Sequence, residues 1–211
     1  MAWAIAQKQD NLWVKWVHAV YVKQKDWLVY RPSVAASWAI KYICKVHWHS
    51  YVLNRFTLPK HRITLWLALQ DRLRTRDRLH TYGVINDDQC ALCGLGTETC
   101  THLFFSCHYS KECCSLVLQW LGFHSSRTQL SVLLKWLHKY CKNPFKRRVA
   151  YAVVASIVYQ IWRATNLAIW EQTVPSIVNT VKCIQYTVTH RILSILSKKV
   201  RTRDREWLHS L

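Results

Sequence analysis

Carboxylates are scarce in this chain, which has 11 Asp and Glu against 30 Lys and Arg. Two-metal phosphoryl transfer needs several carboxylates converging on one site. Here they are scattered, and Asp87-Asp88 is the sole adjacent pair. Flanked by Asn86 and Gln89, that pair reads as a solvated turn. No carboxylate set of a polymerase, endonuclease or ribonuclease H is expected, and the chain is read as not an enzyme. Glycine and proline number only 4 each. That excludes a glycine-rich phosphate loop and implies helices joined by short connections. No apolar run is long enough for a membrane span of about 20 residues. The longest, residues 149–162, is interrupted by Gln160 and reads as a buried or partner-binding helix. The start, Met1 to Lys8, has no basic region followed by a long apolar run, so no secretory leader is expected.

What remains is basic, aromatic and thiol-rich. The net charge is +19, with 12 Trp and 9 Cys. An excess of one sign on that scale repels itself in a compact chain unless a polyanion neutralises it. Nucleic acid is the first candidate and a membrane surface the second. An odd cysteine count without a leader argues against a disulfide framework.

The thiols have a pattern. Cys90-x-x-Cys93 is followed by His102 and then Cys107, four soft or borderline donors in one short stretch. This is a ligand set for tetrahedral zinc. Two cysteines on a tight turn supply half of it, and the returning loop supplies the rest. A C-x-x-C redox pair is the alternative, but no βαβ setting surrounds it. Cys100, His108, Cys113 and Cys114 lie near enough to compete as ligands. His102 and Cys107 are five residues apart, so the peptide must depart from a simple i, i+4 face or end its helix near Cys107.

Helical periodicity organises the rest, and the fold class is mainly α: a small helical domain with a zinc-stabilised loop, then a helical C-terminal segment. The chain divides into an amphipathic N-terminal region (1–32), a zinc-binding domain (33–120) and a helical region with a basic tail (121–211). Leu12, Trp13, Trp16, Val17, Val20 and Tyr21 share one face. Ser33 is an N-cap candidate for a helix to about Val52, carrying Trp38, Tyr42 and Val46. Pro59 opens a helix at the favoured first-turn position, Thr75 caps a short one and Gly83 stops it. Apolar helices follow over residues 115–140, broken at Ser125-Ser126. Asn143-Pro144 punctuates. Ile177, Val181, Ile184, Val188, Ile192 and Ile195 mark the last helix, before the tail Lys198-Lys199-Val-Arg201-Thr-Arg203-Asp-Arg205.

Beside the zinc loop lies a basic patch of Lys60, Arg62, Arg72, Arg74, Arg76 and Arg78. The last four alternate, so a turn near Arg74-Thr75 is needed for them to converge. Arg side chains and helix N-termini both favour phosphate. Trp66, His80 and Tyr82 are candidates for base stacking.

Leu58-Pro59-Lys60, Leu65-Trp66-Leu67-Ala68, Arg74-Thr75-Arg76-Asp77-Arg78-Leu79, Cys90-Ala-Leu-Cys93 and Glu98-Thr99-x-x-His102-Leu103-Phe104-Phe105-x-Cys107 occur in this order. Together they resemble the reverse transcriptase zinc-binding domain of plant LINE-type (non-LTR) retrotransposons. The resemblance covers residues 33–120, with weaker echoes at Trp16-Val17 and at Tyr159 to Asn166. It implies Cys90, Cys93, His102 and Cys107 as ligands of Zn2+, contact with RNA template or target DNA, an ancestral polymerase neighbour and intracellular, nuclear action. Cys113-Cys114 stands where the family often has Trp. With no polymerase palm alongside, the chain resembles a free-standing remnant. The competing reading is a structural or protein-interaction remnant, with zinc as a staple and no specific nucleic-acid role.

Overall fold

The computed structural model describes residues 49–52, 54–125, 129–197 and 200–211, together with residues 15, 19, 20, 23 and 33–35. The helix expected over residues 12–22, most of that expected over 33–52, and Lys198-Lys199 lie outside the described residues. The end of the second, His49–Val52, is helical. The chain divides into two compact units, Met1–Leu53 and Asn54–Leu211. The second carries every site described below.

Among the described residues that unit is helical, and its only β feature is an isolated antiparallel bridge between Gln89 and Thr97. Helix α1 spans Pro59–Leu69, with Pro59 in its first turn as expected. Helix α2 spans Arg76–Thr81 with Thr75 at its N-cap. Its end is a Schellman turn: Val84 N–H donates to Leu79 O and Gly83 N–H to His80 O, with Gly83 at φ +69°. Glycine occupies that left-handed position without a Cβ penalty. Helix α3 is His108–Trp120, α4 is Leu130–Tyr140, α5 is Pro144–Trp170, α6 is Ile177–Ser194 and α7 is Thr202–His209.

Helix α5 is the axis. Asn143 caps it, its side-chain oxygen accepting from the amides of Phe145 and Lys146. Residues 149–158 are all buried, because α1, α3, α4 and α6 pack around it. Burying one such side chain is worth about 1.5–3 kcal/mol, so this helix anchors the unit. By length and composition alone it could cross a bilayer; here 61% of its most apolar stretch is inside the fold. On α6, Val181, Ile184, Val188 and Ile192 are buried as their spacing predicts.

The basic tail departs from expectation. Residues 202–209 form α7, which docks on the start of α5. Asn143 donates to the Asp204 carboxylate at 2.7 Å, Lys146 Nζ lies 4.5 Å over the Trp207 ring, and Leu208 is buried. Two apolar residues in a polar segment give too little periodicity to announce a helix; Asp204 and Trp207 find their partners only after folding.

Candidate metal centre

The segment from residue 86 to 99 is tied together by local polar contacts. Asp87 accepts from the Gln89 amide at 3.0 Å. Glu98 N–H donates to Asp88 O at 2.8 Å, and Thr97 Oγ1 donates to the Asp88 carboxylate at 3.1 Å. Asp87 is exposed and accepts from the amide two residues on, while Asp88, read as part of a solvated turn, is half-buried and tied to Thr97 and Glu98. Between these ties the chain makes a tight knuckle: Gly94 N–H donates to Cys90 O at 2.8 Å and Cys90 N–H to Gly96 O at 2.9 Å. Gly94 and Gly96 both have positive φ, 65° and 68°. The knuckle brings Cys90 and Cys93 to one side.

The other two donors come from a turn of unusual pitch. Thr99 starts it, its hydroxyl accepting from the His102 amide at 3.0 Å. His102–Ser106 is then a π-helical turn, closed by Cys107 N–H donating to His102 O at 2.7 Å. An i→i+5 bond returns the chain to the same face after five residues rather than four. That is how His102 and Cys107, five apart, point the same way. Cys107 then leaves the turn in an extended conformation and becomes the N-cap of α3.

The four donor atoms of Cys90, Cys93, His102 and Cys107 all lie within 4.8 Å of one another. Cys90 Sγ is 3.9 Å from Cys107 Sγ, and Cys93 Sγ is 3.4 Å from His102 Nε2. A tetrahedron with Zn–S near 2.3 Å and Zn–N near 2.05 Å has S–S edges of about 3.8 Å and S–N edges of about 3.6 Å. These two separations fit that geometry, and three thiols with an imidazole fit its chemistry. Cys90 and Cys107 are buried. Hydrogen bonding from Cys90 holds the Cys107 thiol well below the usual thiol range. The same pairing and burial push the Cys90 thiol up. Cysteine binds a metal as the thiolate, so loading this site would release the thiol protons.

The rival donors lie elsewhere. Cys100 Sγ faces Ala68 O at 3.9 Å. Cys113 is buried within α3. His108 is exposed beside Glu112. Among the described residues, Cys90, Cys93, His102 and Cys107 are the only Cys, His or carboxylate group spaced to hold a metal ion.

Glu98, quoted in the sequence motif without a role, is fully buried. Its carboxylate accepts from Ala91 N–H inside the knuckle at 3.1 Å and from Arg76 N–H at the start of α2 at 3.3 Å. It ties the metal loop to the arginine-bearing helix.

The basic residues fall into two groups. Arg76 is clamped on Asp87, with a 3.0 Å ion pair and two bonds to its carbonyl. Arg78 pairs with Asp71 at 2.8 Å. Arg72 and Arg74 are exposed. Lys60 and Arg62 sit at the opposite end of α1, roughly 15 Å away at 1.5 Å per residue. There Lys60 Nζ lies 4.9 Å over the Tyr159 ring, and Arg62 Nε donates to Thr57 O at 3.0 Å. Tyr82 and His80 are exposed.

No curated protein and no solved structure matches the chain. Residues 32–113, the stretch that contains all four donors, match the family described as zinc-binding in reverse transcriptase.

Proposed function

We propose that this chain is a non-catalytic zinc module that binds RNA or DNA through phosphate contacts and descends from the polyprotein of a plant LINE-type, non-LTR retrotransposon. The observation that carries the reading is the donor tetrahedron of Cys90, Cys93, His102 and Cys107 inside the matched stretch. Zinc is the ion this donor set prefers, and its role is to fold the loop. The net charge of +19 supports a polyanion as partner. With contacts that go mainly to phosphate, binding is strong in low salt and largely indifferent to sequence. The nucleus, where template and target DNA meet, is the implied place of action.

Two measurements test this. Purified protein should carry about one zinc per chain, as a single four-donor site holds one ion. Its affinity for a labelled single-stranded RNA and for duplex DNA should fall linearly in log–log terms with salt. Absence of zinc, or absence of salt-dependent binding, would remove the reading. Primer extension by the purified chain would remove its non-catalytic part. The alternative of a protein-interaction module draws on exposed Tyr140, Trp170 and Tyr186. It predicts concentration-dependent self-association in sedimentation.

A further inference from the structure

Four arginines from three stretches of the sequence meet around the turn at residues 55–57. The Cζ atoms of Arg55 and Arg148 lie 5.4 and 5.5 Å from the centroid of the Phe56 ring. Arg191 reaches from α6 to donate to Arg55 O at 3.4 Å. Arg62 reaches from α1 to the same turn, donating to Thr57 O. Arg55 and Arg148 are exposed, and Arg62 and Arg191 are half-buried. Unlike Arg76 and Arg78, none of the four has a carboxylate partner among the described residues. Their anchors are carbonyl oxygens and a ring face, which hold guanidinium groups without neutralising them. Arg191 Nε is buried with no acceptor. Burial and neighbouring arginines lower the affinity of Arg62 and Arg148 for their protons. Arg148 also lines a groove with Lys142 and Arg201.

Gathering like charges around one turn costs free energy that this structure leaves uncompensated. The Asn54 side chain, donating to Arg148 O, fixes the turn against α5, so the charges do not disperse. Guanidinium groups are the donors that match phosphate oxygens in a planar, two-point fashion. Several such groups, held at fixed spacing and continued by a basic groove, match a ligand whose charges repeat along a chain.

We propose that Arg55, Arg62, Arg148 and Arg191 form a binding site for the phosphodiester backbone of a nucleic acid, separate from the arginines at residues 72–78. The proposal rests on the nucleic-acid reading above and names the contact that serves it.

The test compares an Arg55→Gln/Arg148→Gln variant with a Lys135→Gln/Lys139→Gln variant, which removes the same charge from exposed positions on α4. Zinc content and thermal unfolding are read first for both. Binding to single-stranded RNA is then followed against salt. The cluster variant should bind about tenfold or more weakly, with the salt slope reduced by about 1.4, two contacts at about 0.7 each. The control should change about twofold or less. Arg55→Lys/Arg148→Lys should recover most of the slope. If the double Gln variant fails to fold, Arg55→Gln alone should lower the slope by about 0.7. Equal behaviour of cluster and control variants would overturn the site while leaving wild-type binding, and so the broader reading, intact. Polyglutamate competing as well as RNA would overturn the phosphate assignment. Failure of the wild type to bind RNA or DNA overturns both.

Discussion

The Glu98 carboxylate accepts the Ala91 amide at 3.1 Å, which places a buried acid against the turn that presents Cys90 and Cys93. Its other oxygen takes the Arg76 amide. Metal loop and α2 are therefore one hydrogen-bonded assembly. Glu98→Gln keeps the shape but turns an NH2 toward one of the two amides, leaving it unpaired at a cost of about 1–3 kcal/mol. The variant should melt lower, keep its zinc when the metal is in excess, and show faster amide exchange at Ala91 and through Arg76–Leu79. Burial pushes the Glu98 carboxyl up to about 7 from 4.5. A raised acid favours the folded state most below the unfolded pKa and loses that contribution as pH rises through the folded one. The gap in melting temperature between wild type and Glu98→Gln should therefore narrow between pH 4.5 and 7.

Much of the helical frame was legible in the chain because its boundaries rest on local chemistry. Pro59, Thr75 and Gly83 act through their own backbone geometry and Asn143 through its side-chain cap, and each marks the boundary expected of it. The metal set was legible for the same reason, since Cys90, Cys93, His102 and Cys107 occupy one short stretch. Its π-helical turn was only half legible: the five-residue spacing demanded a departure from α geometry without saying which. What depends on distant partners was not legible. Arg55, Arg62, Arg148 and Arg191 are joined only by the packing of α1, α5 and α6. Arg76 and Arg78 read as free cations until Asp87 and Asp71 reach them. Residues 202–209 read as a tail because the surfaces that receive Trp207 and Leu208 belong to other helices.

The metal centre makes a prediction about its neighbours as well as its ligands. Cys107→Ser and His102→Ala each remove one corner of the tetrahedron, and should lose zinc and the sulfur-to-metal absorption of a cobalt-substituted protein. Cys100→Ser and Cys113→Ser should retain both, because Cys100 faces Ala68 and Cys113 faces the core. Chelation should lower the melting temperature yet leave most helical ellipticity. A metal bound at the four donors would order the loop, whereas α1, α5 and α6 are held by their own contacts.

Docking of α7 gives a second handle on stability, remote from the metal. Asp204→Ala leaves the Asn143 amide group without its 2.7 Å acceptor at the cap of the central helix. A loss of about 1–2 kcal/mol is expected for a partly buried polar group left unpaired. Trp207→Ala removes a ring that packs edge-on to Phe145 at 6.4 Å and receives Lys146. Urea unfolding should show both variants destabilised, with zinc content unchanged. Loss of zinc in either would mean that the start of α5 supports the metal loop as well.

His61 supplies the acid-side dependence. It is 2% exposed, stacked on Tyr159 with ring centroids 4.4 Å apart, and its Nε2 is buried without a partner. Burial, with Lys60 beside it, lowers its pKa from 6.5 to about 4. A lowered base binds its proton more weakly when folded. Its contribution to stability is complete above pH 6.5 and is lost as pH falls toward 4. His61→Phe keeps the stacked ring and removes both the orphan nitrogen and the titration. Zinc release at low pH affects wild type and variant alike, so their difference isolates His61. The variant should match or exceed wild type by about 1 kcal/mol near pH 7.5. Its advantage should grow by roughly 2–3 kcal/mol toward pH 4. A difference that stays flat across that range would mean that His61 is hydrated or paired in solution, and that the ring stack on Tyr159 opens.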